Sequence, residues 1–238
     1  MNSCPASRLG KTLEKLARKQ QVTIVALGDS NTELTWHTAG RLNWVGLLQE
    51  ALFEKHGANL VTIINAGRCG DTAEAALGRM ERDAVRFQPD LVIVSFSMND
   101  AFQGEAGLGR FADAIRKIVG ELRGRCGCEV LLRTTNPVVV SNQRGLSPGH
   151  VPGNECPGLA HRLYAARLVE LAAELGCPVV DHYRHWTSVP RRKDWGQDPN
   201  HLWMRMSDAT HPNALGHLCF YRELAPLFGL PPRFPWEE

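Results

Sequence analysis

The chain has 238 residues, 43% hydrophobic and 22% charged, with a formal net charge of +2. That balance belongs to a folded chain with a sizeable core and excludes a disordered one. So small a net charge makes no electrostatic case for a nucleic-acid partner, and no segment is apolar enough for stable membrane insertion.

Met1 to Gln21 interleaves Arg8, Lys11, Lys15, Arg18 and Lys19 with Leu9, Leu13, Leu16 and Ala17. This is the pattern of an amphipathic helix over residues 1–21, its leucines packed on the rest of the fold. The stretch lacks the continuous apolar core of a secretory signal. The seven cysteines form no metal-like pattern, Cys126-Gly127-Cys128 being too tight for a zinc clamp. Reduced thiols and a cytoplasmic location are therefore expected. Asp181-His182-Tyr183-Arg184-His185 has no matching second half of ligands, so its histidines are expected on a surface or loop. No metal and no cofactor is expected.

Apolar, β-branched runs recur at Val22 to Leu27, Leu60 to Asn65, Leu91 to Phe96, Glu129 to Thr135 and Pro178 to Asp181. Between them, Arg41 to His56, Thr72 to Phe87, Leu108 to Gly124 and Gly158 to Gly176 carry apolar residues near helical spacing. Such alternation predicts a single α/β domain over residues 1–238, a five-stranded parallel sheet with helices on both faces. Ligands of such sheets bind beyond the carboxyl ends of the strands. Those positions hold Asp29-Ser30-Asn31 after the first strand, Ala66-Gly67-Arg68 after the second and Ser97-Met98-Asn99-Asp100 after the third. The fourth leads through Thr134-Thr135-Asn136-Pro137 into a stretch from Val138 to Gly158 rich in Gly, Pro, Ser and Asn, expected to face substrate.

Far along the chain, Asp208-Ala209-Thr210-His211-Pro212-Asn213 sets a carboxylate and an imidazole three residues apart. A serine hydroxyl needs a base to become a nucleophile, and histidine suits that task near neutral pH. Ser30 is therefore the candidate nucleophile, His211 the base, and Asp208 the carboxylate that orients the imidazole. Attack on an ester builds charge on the carbonyl oxygen, for which the Ser30 N–H, the Gly67 N–H and the Asn99 amide are candidate donors. Glycine at 67 is read as allowing close approach and unusual backbone angles. Asp208 could also cap a helix beginning near Pro212 or Asn213, and Asp29 or Ser30 the helix after the first strand. Asp100 is expected to order the loop around Asn99.

Taken together, Gly28-Asp29-Ser30-Asn31-Thr32-Glu33, Asn65-Ala66-Gly67-Arg68-Cys69-Gly70-Asp71-Thr72, Ser97-Met98-Asn99-Asp100 and Asp208 to Gly216 resemble the sequence blocks of the SGNH, or GDSL, hydrolase superfamily. The resemblance implies a flavodoxin-like three-layer α/β/α sandwich, metal-independent ester hydrolysis and an acyl-enzyme on Ser30. It points to a small-molecule ester substrate, with a small acyl group, an acetyl on a carbohydrate being favoured, and with lysophospholipase and thioesterase activities as alternatives of the same fold. Ser97 departs from the family, which usually has glycine two residues before the asparagine. A serine fits there if its backbone angles are ordinary, its side chain then narrowing the site. A flavodoxin-like FMN-binding protein would use Ser30-Asn31-Thr32 as a phosphate cradle, but leaves Asp208 and His211 without a task. The α/β-hydrolase elbow Gly-x-Ser-x-Gly is not met, Thr32 standing at its last position. Trp44 reads as core; Arg41 and Asn43 read as surface helix residues; Trp36, His37, Trp186, Trp195 and Trp203 are candidate platforms for a sugar or an acyl chain. Oligomeric state is left open.

Overall fold

The computed structural model describes residues 9–138, 157–188 and 202–232. Strands β1 (Val22–Gly28), β2 (Val61–Gly67), β3 (Leu91–Ser95), β4 (Glu129–Arg133) and β5 (Val179–Val180) form one sheet. All pairings are parallel, and the order is β2-β1-β3-β4-β5. Alternate side chains enter opposite cores, as the two-residue period of a strand requires. Val25, Leu27, Val92, Val94, Val130 and Leu132 face one core, and Ile24, Ala26, Leu91, Ile93 and Leu131 the other. A strand buried on both sides must be apolar throughout, which explains the unbroken run Leu91-Val92-Ile93-Val94.

The first core is covered by α4 (Ala73–Ala76), α5 (Met80–Asp83), α6 (Leu108–Cys126) and α7 (Pro157–Glu174). The second lies under α1 (Gly10–Ala17), α3 (Trp44–His56), α8 (His182–Thr187) and α9 (Ala214–Leu224). This is the expected three-layer α/β/α arrangement. Leu9 and Leu16 of the amphipathic N-terminal segment are buried in the second core. Helix α1 is shorter than residues 1–21: it begins at Gly10, and Lys19 ends the turn in the left-handed region with φ +56°. The Glu129 carboxylate takes the Thr12 N–H and hydroxyl at 2.8 and 2.6 Å, fastening α1 to the start of β4.

Two further differences bear on the site. The helix predicted over 41–56 starts at Trp44, because the Asn43 side chain accepts the N–H groups of Val45 and Gly46 and caps it. The helix predicted over 72–87 is broken into α4, a 3-10 turn Leu77–Arg79, α5 and a 3-10 turn Val85–Phe87. Its helical periodicity is real, but Arg79 leaves the α conformation at φ −118° and ψ 3° and turns a buried guanidinium towards the sheet. Because β1 lies between β2 and β3, the chain leaves it in one direction and returns on the other side. That switch opens a crevice at the carboxyl ends of β1 and β3.

Candidate active site

At the end of β1 the chain turns at once into α2 (Ser30–Glu33). A Cβ on Gly28 would meet Thr32 Oγ1 at 2.2 Å and the Ser95 carbonyl at 2.9 Å, so the turn requires glycine. Asp29 caps α2, its Oδ1 accepting the Asn31 N–H at 2.9 Å, and burial raises this carboxyl to about 6. Capping thus presents Ser30 as the first residue of a helical turn rather than competing with that presentation.

His211 Nε2 lies 3.0 Å from Ser30 Oγ, and His211 Nδ1 lies 2.8 Å from Asp208 Oδ2. With Nδ1–H given to the carboxylate, Nε2 is left to accept the serine proton. Asp208 Oδ1 accepts the N–H groups of Thr210 and His211 at 2.8 and 2.7 Å, closing the turn that carries the imidazole. Partial burial pushes the Asp208 carboxyl up, but the His211 ring and these two N–H groups together hold it well below the usual carboxylate range. The cap of α9 is Asn213, whose side chain accepts the Gly216 N–H at 3.1 Å, so Asp208 serves no helix.

The turn is tied to the nucleophile by Asn136, which gives one N–H to the Thr210 carbonyl at 3.0 Å and accepts the Asn31 amide at 3.2 Å. His37 stacks on His211, centroids 4.2 Å apart and planes 13° from parallel, and its Nδ1 lies 3.0 Å from Ser207 Oγ. Burial, and then the neighbouring His211, lower the pKa of His37, which favours its neutral ring. His37, Asp208 and His211 bring three potential ligand atoms within 4.8 Å of one another. Two nearly parallel, stacked rings cannot both aim an in-plane lone pair at one cation, so this set fits a proton relay rather than a metal.

Gly67 follows a different logic from the one expected. Its φ is not in the left-handed region, but a Cβ there would strike the Glu33 N–H nitrogen at 2.2 Å. Glycine is needed for α2 to pack against the end of β2. The Gly67 N–H donates to Asn65 Oδ1 at 3.0 Å, and the Asn65 amide in turn reaches the Thr32 carbonyl at 2.8 Å. Asn99 gives one amide N–H to the Asp71 carbonyl at 2.9 Å, leaving its second hydrogen for another acceptor. Asp100 does order the loop: it accepts the Ala73 N–H at 2.9 Å, and burial raises it to about 7.

Ser97 does not have ordinary backbone angles. Its φ is +146°, in the region that favours glycine, and its fully buried side chain turns into the core beneath the loop rather than narrowing the site. There its Oγ lies 3.1 Å from both Thr135 Oγ1 and His161 Nε2, which are themselves 2.9 Å apart. Burial lowers His161 to about 4, keeping it neutral. A side chain in a glycine-type conformation is thus held by a buried polar triangle.

Several other expectations change. Asn43 is buried rather than on the surface, and its amide donates to the Thr32 carbonyl at 2.8 Å, while Arg41 is exposed. Trp44 is core, as expected, with its indole N–H on the Asn31 carbonyl at 3.1 Å. Trp186 is also core and no platform, whereas Trp36 is 67% exposed. His182 is not a surface histidine: it is fully buried and hydrogen-bonded to Glu223, while His185 is exposed. Arg133, absent from the sequence reading, is fully buried between the rings of Trp44 and Phe220, 4.4 and 4.2 Å from their centroids. Trp195 and nearly all of the 138–158 stretch lie outside the described residues.

A hydroxyl, an imidazole and a carboxylate in series at the carboxyl edge of a parallel sheet form the arrangement of serine hydrolases. The comparisons agree with that class. Residues 26–218 match the GDSL-like Lipase/Acylhydrolase family, and the chain belongs to it, a family of carboxylic ester hydrolases. The chain is similar to the uncharacterized lipoprotein YqeF of Bacillus subtilis (strain 168), 28% identical over 68% of this chain and 71% of that one. It is also similar to an arylesterase of Vibrio mimicus, 35% identical over 34% of this chain and 39% of the relative. Among solved structures, a lipase/acylhydrolase from Enterococcus faecalis superposes with a TM-score of 0.65 at 25% identity, covering 90% of this chain and 100% of that one. The acetylxylan esterase Axe2 of Geobacillus stearothermophilus gives 0.64 at 17% identity, covering 91% and 98%. No helix among the described residues is long and apolar enough to cross a membrane.

Proposed function

We propose that the protein is a serine esterase that removes a small acyl group, an acetyl, from a carbohydrate through an acyl-enzyme on Ser30. The observation that carries this reading is the relay from Ser30 Oγ through His211 to Asp208 at 3.0 and 2.8 Å. His211 takes the serine proton as Oγ attacks the carbonyl carbon. The carbonyl electrons move to oxygen, and the Ser30 N–H, the Gly67 N–H and the free hydrogen of Asn99 donate hydrogen bonds to the oxyanion so formed. The Gly67 N–H, which Asn65 Oδ1 holds at 3.0 Å, shares its hydrogen between that oxygen and the oxyanion without turning. Collapse expels the alcohol, which takes the proton from His211; water then repeats the sequence on the acyl-enzyme and releases the acid.

The acetyl-carbohydrate part of the reading is supported by the acetylxylan esterases among the similar folds and by Trp36. That exposed indole packs on His37, their centroids 3.4 Å apart, and His37 stacks on His211. Because His211 hands its proton to the departing alcohol, the alcohol lies on the imidazole's side of the site. There the flat apolar face of Trp36 suits one face of a pyranose ring, with polar groups free at the rim. Rates on p-nitrophenyl acetate, butyrate and octanoate, followed by acetate release from acetylated xylo-oligosaccharides, test it. Ser30→Ala is expected to lower kcat on the acetate by at least about 10⁴-fold. Undiminished turnover in that variant would refute the acyl-enzyme, and a preference for octanoate would move the substrate class to lipids.

A further inference from the structure

Arg79 is 5% exposed and stands outside the proton relay, yet its guanidinium reaches three of the segments that form the site. One terminal nitrogen donates to the Gly28 carbonyl at 2.9 Å, two residues before Ser30. The other donates to the Ala66 carbonyl at 2.8 Å, one residue before Gly67, and to Asp83 Oδ2 at 3.0 Å. Its Nε donates to Asp71 Oδ2 at 2.6 Å, and the Asp71 backbone carbonyl is the group that receives the Asn99 amide at 2.9 Å. Each of the three oxyanion donors is therefore within two residues, or one hydrogen bond, of a group held by this side chain.

From this geometry we propose that Arg79 is the positioning residue of the oxyanion hole, a planar fork that fixes the ends of β1 and β2 and the Asp71 turn relative to one another. The inference rests on the assignment of Ser30, Gly67 and Asn99 under Proposed function. The Gly28 carbonyl already accepts the Arg68 N–H at 3.0 Å, and the guanidinium takes a second position on that oxygen as well as the Ala66 carbonyl, at the point where the β1–β2 ladder ends. A guanidinium satisfies both at once and, being planar, sets the distance between them; an ammonium has no such fork. Burial beside Asp71, which is 6% exposed, removes competing water from these bonds. The broken helix follows from the same demand, since a regular helix through 72–87 would not deliver Arg79 to the strand ends.

The test compares wild type, Arg79→Lys, Asp71→Asn and Asp83→Asn with p-nitrophenyl acetate and with a trifluoromethyl ketone, which adds to the serine and places an oxyanion in the hole. Arg79→Lys keeps the charge and loses the fork. It is expected to lower kcat about 10- to 100-fold with KM within about 3-fold, and to weaken the ketone by the factor lost in kcat/KM. Asp71→Asn, the milder change, is expected to lower kcat about 3- to 10-fold, and Asp83→Asn, remote from the donors, to stay within about 2-fold of wild type. Rates are taken per folded molecule, from the native fraction measured by urea unfolding followed by circular dichroism. Ketone affinity in Arg79→Lys equal to wild type would overturn the proposal. If Arg79→Lys does not fold, unchanged kcat and ketone affinity in Asp71→Asn would overturn it instead. Equal hydrolysis by wild type and Ser30→Ala would bring down the acyl-enzyme reading, and the role of Arg79 with it. An inactive Ser30→Ala beside an indifferent Arg79→Lys would bring down the role of Arg79 alone.

Discussion

Ser30 and the strand ends around it are buried and cross-tied by Asp29, Asn43, Asn65 and Arg79, mostly through bonds from side chain to backbone. His211 and Asp208 stand on irregular chain, with 24% and 27% of their side-chain surfaces exposed, on a turn closed by Asp208 itself. The two halves of the site are built to different tolerances. Donors to an oxyanion work only if they are aimed before charge develops, because reorganising them during the reaction would consume their advantage. An imidazole that carries a proton from one oxygen to another must instead shift slightly between them. A turn held at a few points, with His37 as a flat backing, permits that motion while keeping the ring in plane.

The contrast can be broken most sharply at the carboxylate. Asp208→Asn loses the charge that selects the tautomer, and kcat on p-nitrophenyl acetate is expected to fall about 10⁴-fold. The thermal midpoint should move by only a few degrees, because the turn is half exposed. Retained activity, read from initial rates, would mean that His211 is oriented by something other than Asp208. On the rigid side, Asn99→Ala removes one donor and is expected to reduce kcat about 10²- to 10³-fold with little change in KM. A rise in KM at constant kcat would instead place Asn99 in ground-state binding.

Below the site, His161→Gln separates support from chemistry. The folded-state pKa of His161 is lowered to about 4 by burial, below its ordinary 6.5. As pH falls from about 6.5 towards 4, the unfolded chain gains a proton that the folded chain refuses, so wild type loses up to about 3 kcal/mol of stability that the glutamine variant keeps. Urea unfolding at pH 7.5 and pH 4.5 should show the stability of wild type falling relative to the variant in acid. A gap independent of pH would mean that His161 is not held neutral beneath Ser97.

The groups proposed for chemistry are the ones that stood out in the sequence. Ser30, Gly67 and Asn99 follow apolar runs whose period already implies a parallel sheet, whose topology converges them, while Asp208 and His211 share one turn that Asn136 ties to the first loop. The supporting residues lack such a signal. Arg79 lies within an apolar helical pattern, where it reads as an ordinary surface charge; only the break in the helix reveals it. Asn43 and His37 acquire their roles through contacts with Thr32, His211 and Ser207, which adjacency in the chain does not announce. The departure at Ser97 was visible, but its consequence was not. Whether a serine keeps the glycine-type angle depends on Thr135 and His161, 38 and 64 residues away.

Ser30 and His211 are separated by 181 positions, with the sheet's remaining strands between them in the chain. A nucleophile whose base arrives from so far along the polypeptide is inert while the protein is being synthesised. The hydroxyl and its proposed proton acceptor meet only once the chain between β1 and the turn before α9 has closed on itself. Catalytic competence is therefore a certificate of completed folding: turnover during refolding reports closure of the longest loop in the site, and a chain cut before Asp208 carries the signature serine without its reactivity.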